Sequence, residues 1–155
     1  MSLGQSAPAA WFDVPEAERA SRCQLTSEQC VIDGRWCFLL GQLEIPVEGS
    51  SEPFVWRTWV SVNTASFKRA KELRNTVGRE AEPPCLAWVQ SEMPYATSTL
   101  LLKAKLQTGP VGQRPKIELE PCDHPLAIEQ RDGITLERVQ QLAESMLHGM
   151  ATPKV

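Results

Sequence analysis

The chain has 155 residues, 42% of them hydrophobic and 23% charged, with a formal charge of −3 at pH 7. This composition excludes a disordered or fibrous chain and suits one domain, which at this length hides about 70% of the surface its unfolded form exposes. No apolar run approaches the ~20 residues of a membrane helix, no charged-then-apolar leader opens the chain, and no basic face invites nucleic acid, so a cytoplasmic location is expected.

Residues 1–10 show no pattern and are read as a disordered or vector-derived terminus. One α+β domain is expected over 11–149, with 150–155 a flexible tail. Asp13-Val-Pro-Glu begins a short helix that ends near Arg22: proline is tolerated in a first helical turn, and the acids at Glu16 and Glu18 followed by Arg19 and Arg22 suit the helix dipole. Cys30-Val-Ile, Asp33-Gly34 and Arg35-Trp-Cys-Phe-Leu-Leu read as strand, tight turn and strand, because glycine supplies the positive φ such turns need. The second strand runs to Ile45, where Pro46 cannot donate to a ladder, and residues 48–53 form a loop.

Phe54–Val62 is the clearest strand. Phe54, Trp56, Thr58, Val60 and Val62 share one face, which is the core side. Val55, Arg57, Trp59 and Ser61 share the other, which is expected to be half covered at most. Asn63-Thr64 caps a helix over 64–75, with Phe67, Ala70 and Leu73 at helical spacing. Lys68, Arg69, Lys71 and Arg74 on it read as a solvated face beside Glu72. Strands follow at 85–90, 100–106 and 117–120, where Lys103/Lys105 and Glu118/Glu120 could face each other across an antiparallel pair. Pro125 starts a helix stopped by Asp132-Gly133, and Thr135 caps a last one closed by Gly149. The expected fold is α+β: an antiparallel sheet of about six strands, a mid-chain helix and two C-terminal helices.

Cysteines stand at 23, 30, 37, 85 and 122 without a CxxC pair or zinc spacing, and reduced thiols are expected. The nucleotide, zinc-protease and hydrolase motifs are absent, so neither a cofactor nor a metal is assigned and no residue is assigned a catalytic role. Two histidines preclude a multi-histidine metal site. His148 lies in the last turn of a helix, where a cation suits the dipole.

Three places are candidates for binding. The first is Trp56, Arg57 and Trp59, near Trp36 and Trp88. Indoles with a guanidinium can line a pocket for a flat or anionic ligand, although indoles more commonly fill cores. The second is Asp123-His124 with Glu118 and Glu120, which could hold a general base or, with Asp33 and Glu44, a metal. The alternative there is a helix cap and solvated glutamates. The third is Arg131, able to grip a carboxylate in bidentate fashion or to serve the end of its helix; Arg114 reads the same way.

Taken in order, Cys30-Val-Ile-Asp-Gly, Leu43-Glu-Ile-Pro-Val, Glu52-Pro-Phe-Val-Trp, Trp59-Val-Ser-Val, Gly78-Arg-Glu, Arg114-Pro-Lys-Ile-Glu-Leu-Glu-Pro and Asp123-His-Pro-Leu-Ala-Ile-Glu-Gln-Arg-Asp-Gly-Ile resemble the bacterial family DUF2199 over about residues 11–148. The resemblance implies a cytoplasmic bacterial protein and assigns no activity. Many members carry an N-terminal Cys-x-x-Cys-Gly segment, and residues 1–10 here contain no cysteine, which leaves a zinc-linked role without support. The expected function is a non-enzymatic binding or protein-interaction domain, contacting an unidentified small molecule or protein through Arg57 and Trp59. A homodimer through a sheet face or edge is one variant. The alternative is a small hydrolase or metal-dependent enzyme using His124 with nearby carboxylates.

Overall fold

The computed structural model describes residues 1–151, with side chains through Leu147. The side chain of His148 and residues 152–155 of the expected tail lie outside the described residues.

The elements in chain order are β1 (Ser2–Gly4), α1 (Ala9–Asp13), α2 (Glu16–Arg22), β2 (Cys23–Leu25), β3 (Gln29–Ile32), β4 (Trp36–Ile45), β5 (Phe54–Val62), α3 (Thr64–Glu72), β6 (Cys85–Val89), β7 (Lys103–Gln107), β8 (Lys116–Leu119), α4 (Pro125–Asp132) and α5 (Leu136–Ala151). The α+β class stands, but the simple antiparallel sheet of about six strands does not. Eight strands form one mixed sheet, and β4 to β8 close into a barrel. Each of β4 to β8 pairs antiparallel with the next. A meander of five strands brings its last strand back parallel to its first, and Gln42 of β4 accordingly lies beside Lys116 of β8 in parallel. Gly41 makes that approach possible: a Cβ there would stand 2.8 Å from Ile117 Cδ1 and 3.0 Å from the Pro115 carbonyl.

The two long strands serve two surfaces. The first half of β4 carries β3 and then β2 on its free edge, and β5 carries β1 in parallel beside its own first half. The β3–β4 turn is the Asp33-Gly34 turn expected, with φ of 55° and 63°. The expected cross-strand charges are also present: Lys105 lies opposite Glu118, and Lys103 Nζ reaches Glu120 at 3.8 Å. The strand expected from residue 100 begins at Lys103, because Leu101 takes a left-handed φ of 67° and breaks the ladder.

Inside the barrel, Leu39, Leu43, Trp56, Val60, Ala104 and Ile117 belong to one buried cluster. Phe67 of α3 enters it from one mouth. Leu126 of α4 and Leu142 of α5 enter it from the other. These mouths are opposite because α3 leaves the end of β5 whereas α4 packs where β4 ends, at the Val47–Ile134 bridge.

The outer face of β5 corrects a second expectation. Trp59 has no exposed surface and joins Val14, Cys30, Ile32, Phe38 and Leu40 in a smaller core, with Trp11 packed against it. The residues that cover it come from α1, from the stretch before α2 and from the β3–β4 ladder. The N-terminal ten residues, expected to be disordered, take part: Ser2–Gly4 pairs with β5, Ala7 is fully buried, and the Trp59 indole N–H donates to the Gln5 carbonyl at 3.0 Å.

Candidate functional site

The two mouths differ in chemistry. At the mouth under α4 and α5, the Tyr95 hydroxyl donates to Glu129 Oε1 at 2.5 Å, and Arg138 Nε donates to Glu129 Oε2 at 2.8 Å. The guanidinium also lies 5.5 Å from the centroid of the Tyr95 ring. Burial, reinforced by the Glu129 carboxylate, pushes the Tyr95 hydroxyl well above its usual range, so it stays protonated and donating. The Trp56 indole N–H lies close enough to that hydroxyl to favour its ionised form. It is nonetheless outside hydrogen-bond geometry and has no partner among the described residues.

His124 sits beside this group, with its ring centroid 5.9 Å from that of Tyr95. Pro125 occupies the first turn of α4 and His124 is its N-cap. Nδ1 accepts from the Leu126 N–H at 3.0 Å, and Nε2 lies 3.1 Å from the carbonyls of both Thr97 and Ser98. An N–H cannot accept and a carbonyl cannot donate, so this network assigns the neutral ring with its proton on Nε2. Both nitrogens are thus occupied by backbone, and no carboxylate lies within ion-pair distance of the ring among the described residues. Asp123 is exposed beside it. The arrangement is that of a helix cap.

The other expected residues do not converge there. Arg57 is half-buried on the outer face of β5 and makes no side-chain hydrogen bond or ion pair among the described residues. Arg131 pairs with its neighbour Asp132 at 3.3 Å and with no other carboxylate among the described residues. Trp56 reaches the α4 mouth from inside the barrel, while Trp59 is sealed in the smaller core. Asp33 pairs with Arg22, and Glu44 with Lys116. Among the described residues, no three His, Cys, Asp or Glu side chains gather as a metal site.

At the opposite mouth α3 leaves an open cleft of ≈ 230 Å³. The helix turns Ser66, Arg69, Ala70 and Leu73 toward it, the i, i+3, i+4, i+7 face of α3. Its floor includes Leu39 and Leu106 of the barrel, and Cys85 of β6 lines one side. Burial pushes the Cys85 thiol up, only partly offset by the Ser66 hydroxyl, so it remains a thiol and behaves as a small hydrophobe. At the rim, Arg69 donates twice to Glu82, Nε at 3.0 Å and Nη2 at 3.1 Å. The Arg69 guanidinium, through those hydrogen bonds and its charge, holds the Glu82 carboxyl below its ordinary 4.5.

The far wall of the cleft is fastened. Gln107 Nε2 donates to the carbonyls of Glu80 and Glu82, and Arg79 donates to those of Gly109, Pro110 and Gln113. Neither Arg79 nor this cleft was expected from sequence. The one available signal was an arginine directly after Gly78, which takes a left-handed φ of 87°.

Fold and geometry together define an α+β protein built on a closed, mixed five-stranded barrel plugged by helices at both mouths, with a cleft left beside α3 at one of them. The chain belongs to DUF2199, a family described as an uncharacterized protein conserved in bacteria, whose match spans residues 1–134 and so includes the N-terminal strand. No curated protein and no solved structure matches the chain. Among the described residues no helix is long and apolar enough to cross a membrane.

Proposed function

We propose that the chain is a non-catalytic, cytoplasmic binding domain whose ligand site is the cleft between α3 and the barrel mouth. The observation that carries this reading is the open cleft itself, space left beside α3 above the nearly buried Leu39, Leu73 and Leu106. Its ≈ 230 Å³ falls below the roughly 300–1,000 Å³ usual for sites that enclose a drug-sized molecule. One short alkyl chain or one apolar side chain is therefore the scale of group it takes. This replaces Arg57 and Trp59 as the contact surface, since Trp59 has no exposed area to offer.

Octanol is a neutral probe of that scale. Titrated into the isotope-labelled protein, it should shift the amide resonances of Ser66, Ala70, Cys85 and Leu106 saturably, and Ala70→Phe should abolish the response by filling the cleft. Shifts spread over the whole barrel, or none at all, would defeat the reading.

A further inference from the structure

The fold brings a tryptophan and unpaired cations from two distant stretches of the chain onto one surface. Trp36 opens β4 on its outer face, is half exposed (52%) and carries the Arg35 guanidinium 4.6 Å from its ring centroid. Because Cys37 lies opposite Val62 in the β4–β5 ladder, Trp36 stands beside Asn63, the N-cap of α3. Thr64, Lys68 and Lys71 follow at i, i+4 and i+7 and share one flank of that helix, away from the cleft that Ser66, Arg69, Ala70 and Leu73 line. Burial pushes the Cys37 thiol up, opposed by the Thr64 hydroxyl and the Lys71 charge, so this flank runs past the start of β4.

Arg35, Lys68 and Lys71 are exposed and make no ion pair among the described residues, and Arg74, exposed and equally unpaired, follows three residues after Lys71. The nearby carboxylates are turned elsewhere, Asp33 to Arg22 and Glu72 to Arg69. Lone cations on a helix flank are ordinary solvated surface. What sets this face apart is the open indole among them, since a tryptophan left in solvent forgoes the area that its ring would otherwise bury. Neither stretch is a basic face alone, and β4 and β5 are what join them. The net charge of −3 is spread over the rest of the chain and is screened beyond about 8–10 Å at physiological salt, so a partner at this face meets the local positive charge.

We infer that this face binds single-stranded nucleic acid, one base stacking on Trp36 while the phosphates on either side of it meet Arg35, Lys68 and Lys71. An exposed aromatic ring with cations along the path of the backbone is how sequence-tolerant sites for single strands are built. An acidic protein segment would use the cations and leave the indole without a role, and a duplex keeps its bases stacked within itself. The face is separate from the cleft on the other flank of α3, and either site can fail without the other.

The test titrates an oligothymidylate of about 10 nucleotides into the full chain at low salt. Tryptophan fluorescence should be quenched saturably, and the logarithm of the binding constant should fall with that of the salt concentration at a slope of about −2, as for three phosphates of a single strand. Trp36→Ala should weaken binding about fivefold or more and abolish the quenching, with the unfolding midpoint near that of the parent. Lys68→Gln combined with Lys71→Gln should bring the slope to about −0.7. Polyphosphate and polyglutamate of matched charge, which cannot stack, should bind more weakly and be indifferent to Trp36→Ala. Equal binding of either polyanion to the unaltered protein, full quenching that survives Trp36→Ala, or no binding of the oligonucleotide at low salt would overturn the proposal.

Discussion

Helices plug both mouths of the barrel, α3 at one and α4 with α5 at the other, with different outcomes. Under α4 and α5 the polar groups meet one another: Tyr95 and Arg138 converge on Glu129, and both ring nitrogens of His124 are taken by backbone. Under α3 the polar pair stands at the rim in solvent, above apolar side chains that are packed and nearly buried. A part-buried polar cluster whose members satisfy one another stabilises, although the Trp56 indole N–H beside it has no partner among the described residues. An exposed ion pair such as Arg69–Glu82 contributes little to stability.

The contrast breaks most easily in the core. Leu126→Ala, at a fully buried residue beneath the sealed mouth, should cost about 2–5 kcal/mol in denaturant unfolding. Arg69→Gln at the rim of the α3 mouth, where the ion pair is exposed, should leave the midpoint near that of the parent. Equal losses would erase the distinction between the two ends. Next, Glu129→Gln removes the charge that Arg138 and Tyr95 share and should cost about 1–3 kcal/mol; an unchanged midpoint would mean that the cluster does not hold α4 to α5.

His124→Ala should cost about 0.5–2 kcal/mol through loss of the cap, with His124→Asn recovering most of it, since asparagine also caps. A catalytic histidine would not be rescued in that way, so retained ligand binding and recovered stability in His124→Asn separate the two roles. The smallest effect concerns Glu92. Burial pushes its carboxyl up, but hydrogen bonds from Ser98 and Thr99 outweigh this and hold it below the ordinary 4.5. A depressed carboxyl stabilises the native state above its unfolded value and loses that contribution as pH falls. Amide exchange in residues 92–99 should therefore begin to quicken as pH drops through about 4.5, after correction for intrinsic rates and before the barrel strands respond.

Local pattern revealed most elements and few of their partners. The alternation of Phe54–Val62 assigned Trp56 to the core, the Asn63 cap placed α3, and His124-Pro125 announced the start of α4, all from neighbouring residues. Barrel closure was hidden because it depends on Gly41 meeting Ile117, residues far apart in sequence, and the odd number of strands makes that closing pair parallel. Trp59 was misjudged for a related reason. Its own strand shows a mixed face, and what covers that face arrives from Trp11, Val14 and the N-terminal segment, which carry no alternation to read. The cleft could not be seen at all, since its lining joins α3, the segment before β6 and three separate strands.

The parallel seam between β4 and β8 also bears on the order in which the chain folds. Every other junction around the barrel joins strands consecutive in sequence, whereas this one joins residue 42 to residue 116 through a single register pair and the Gln42 N–H to Pro115 carbonyl bond at 2.8 Å. Contacts so distant along the chain repay their loop-closure entropy late. During synthesis the barrel stays an open ribbon until β8 has emerged, with the edge of β4 that it will occupy exposed to whatever is nearby.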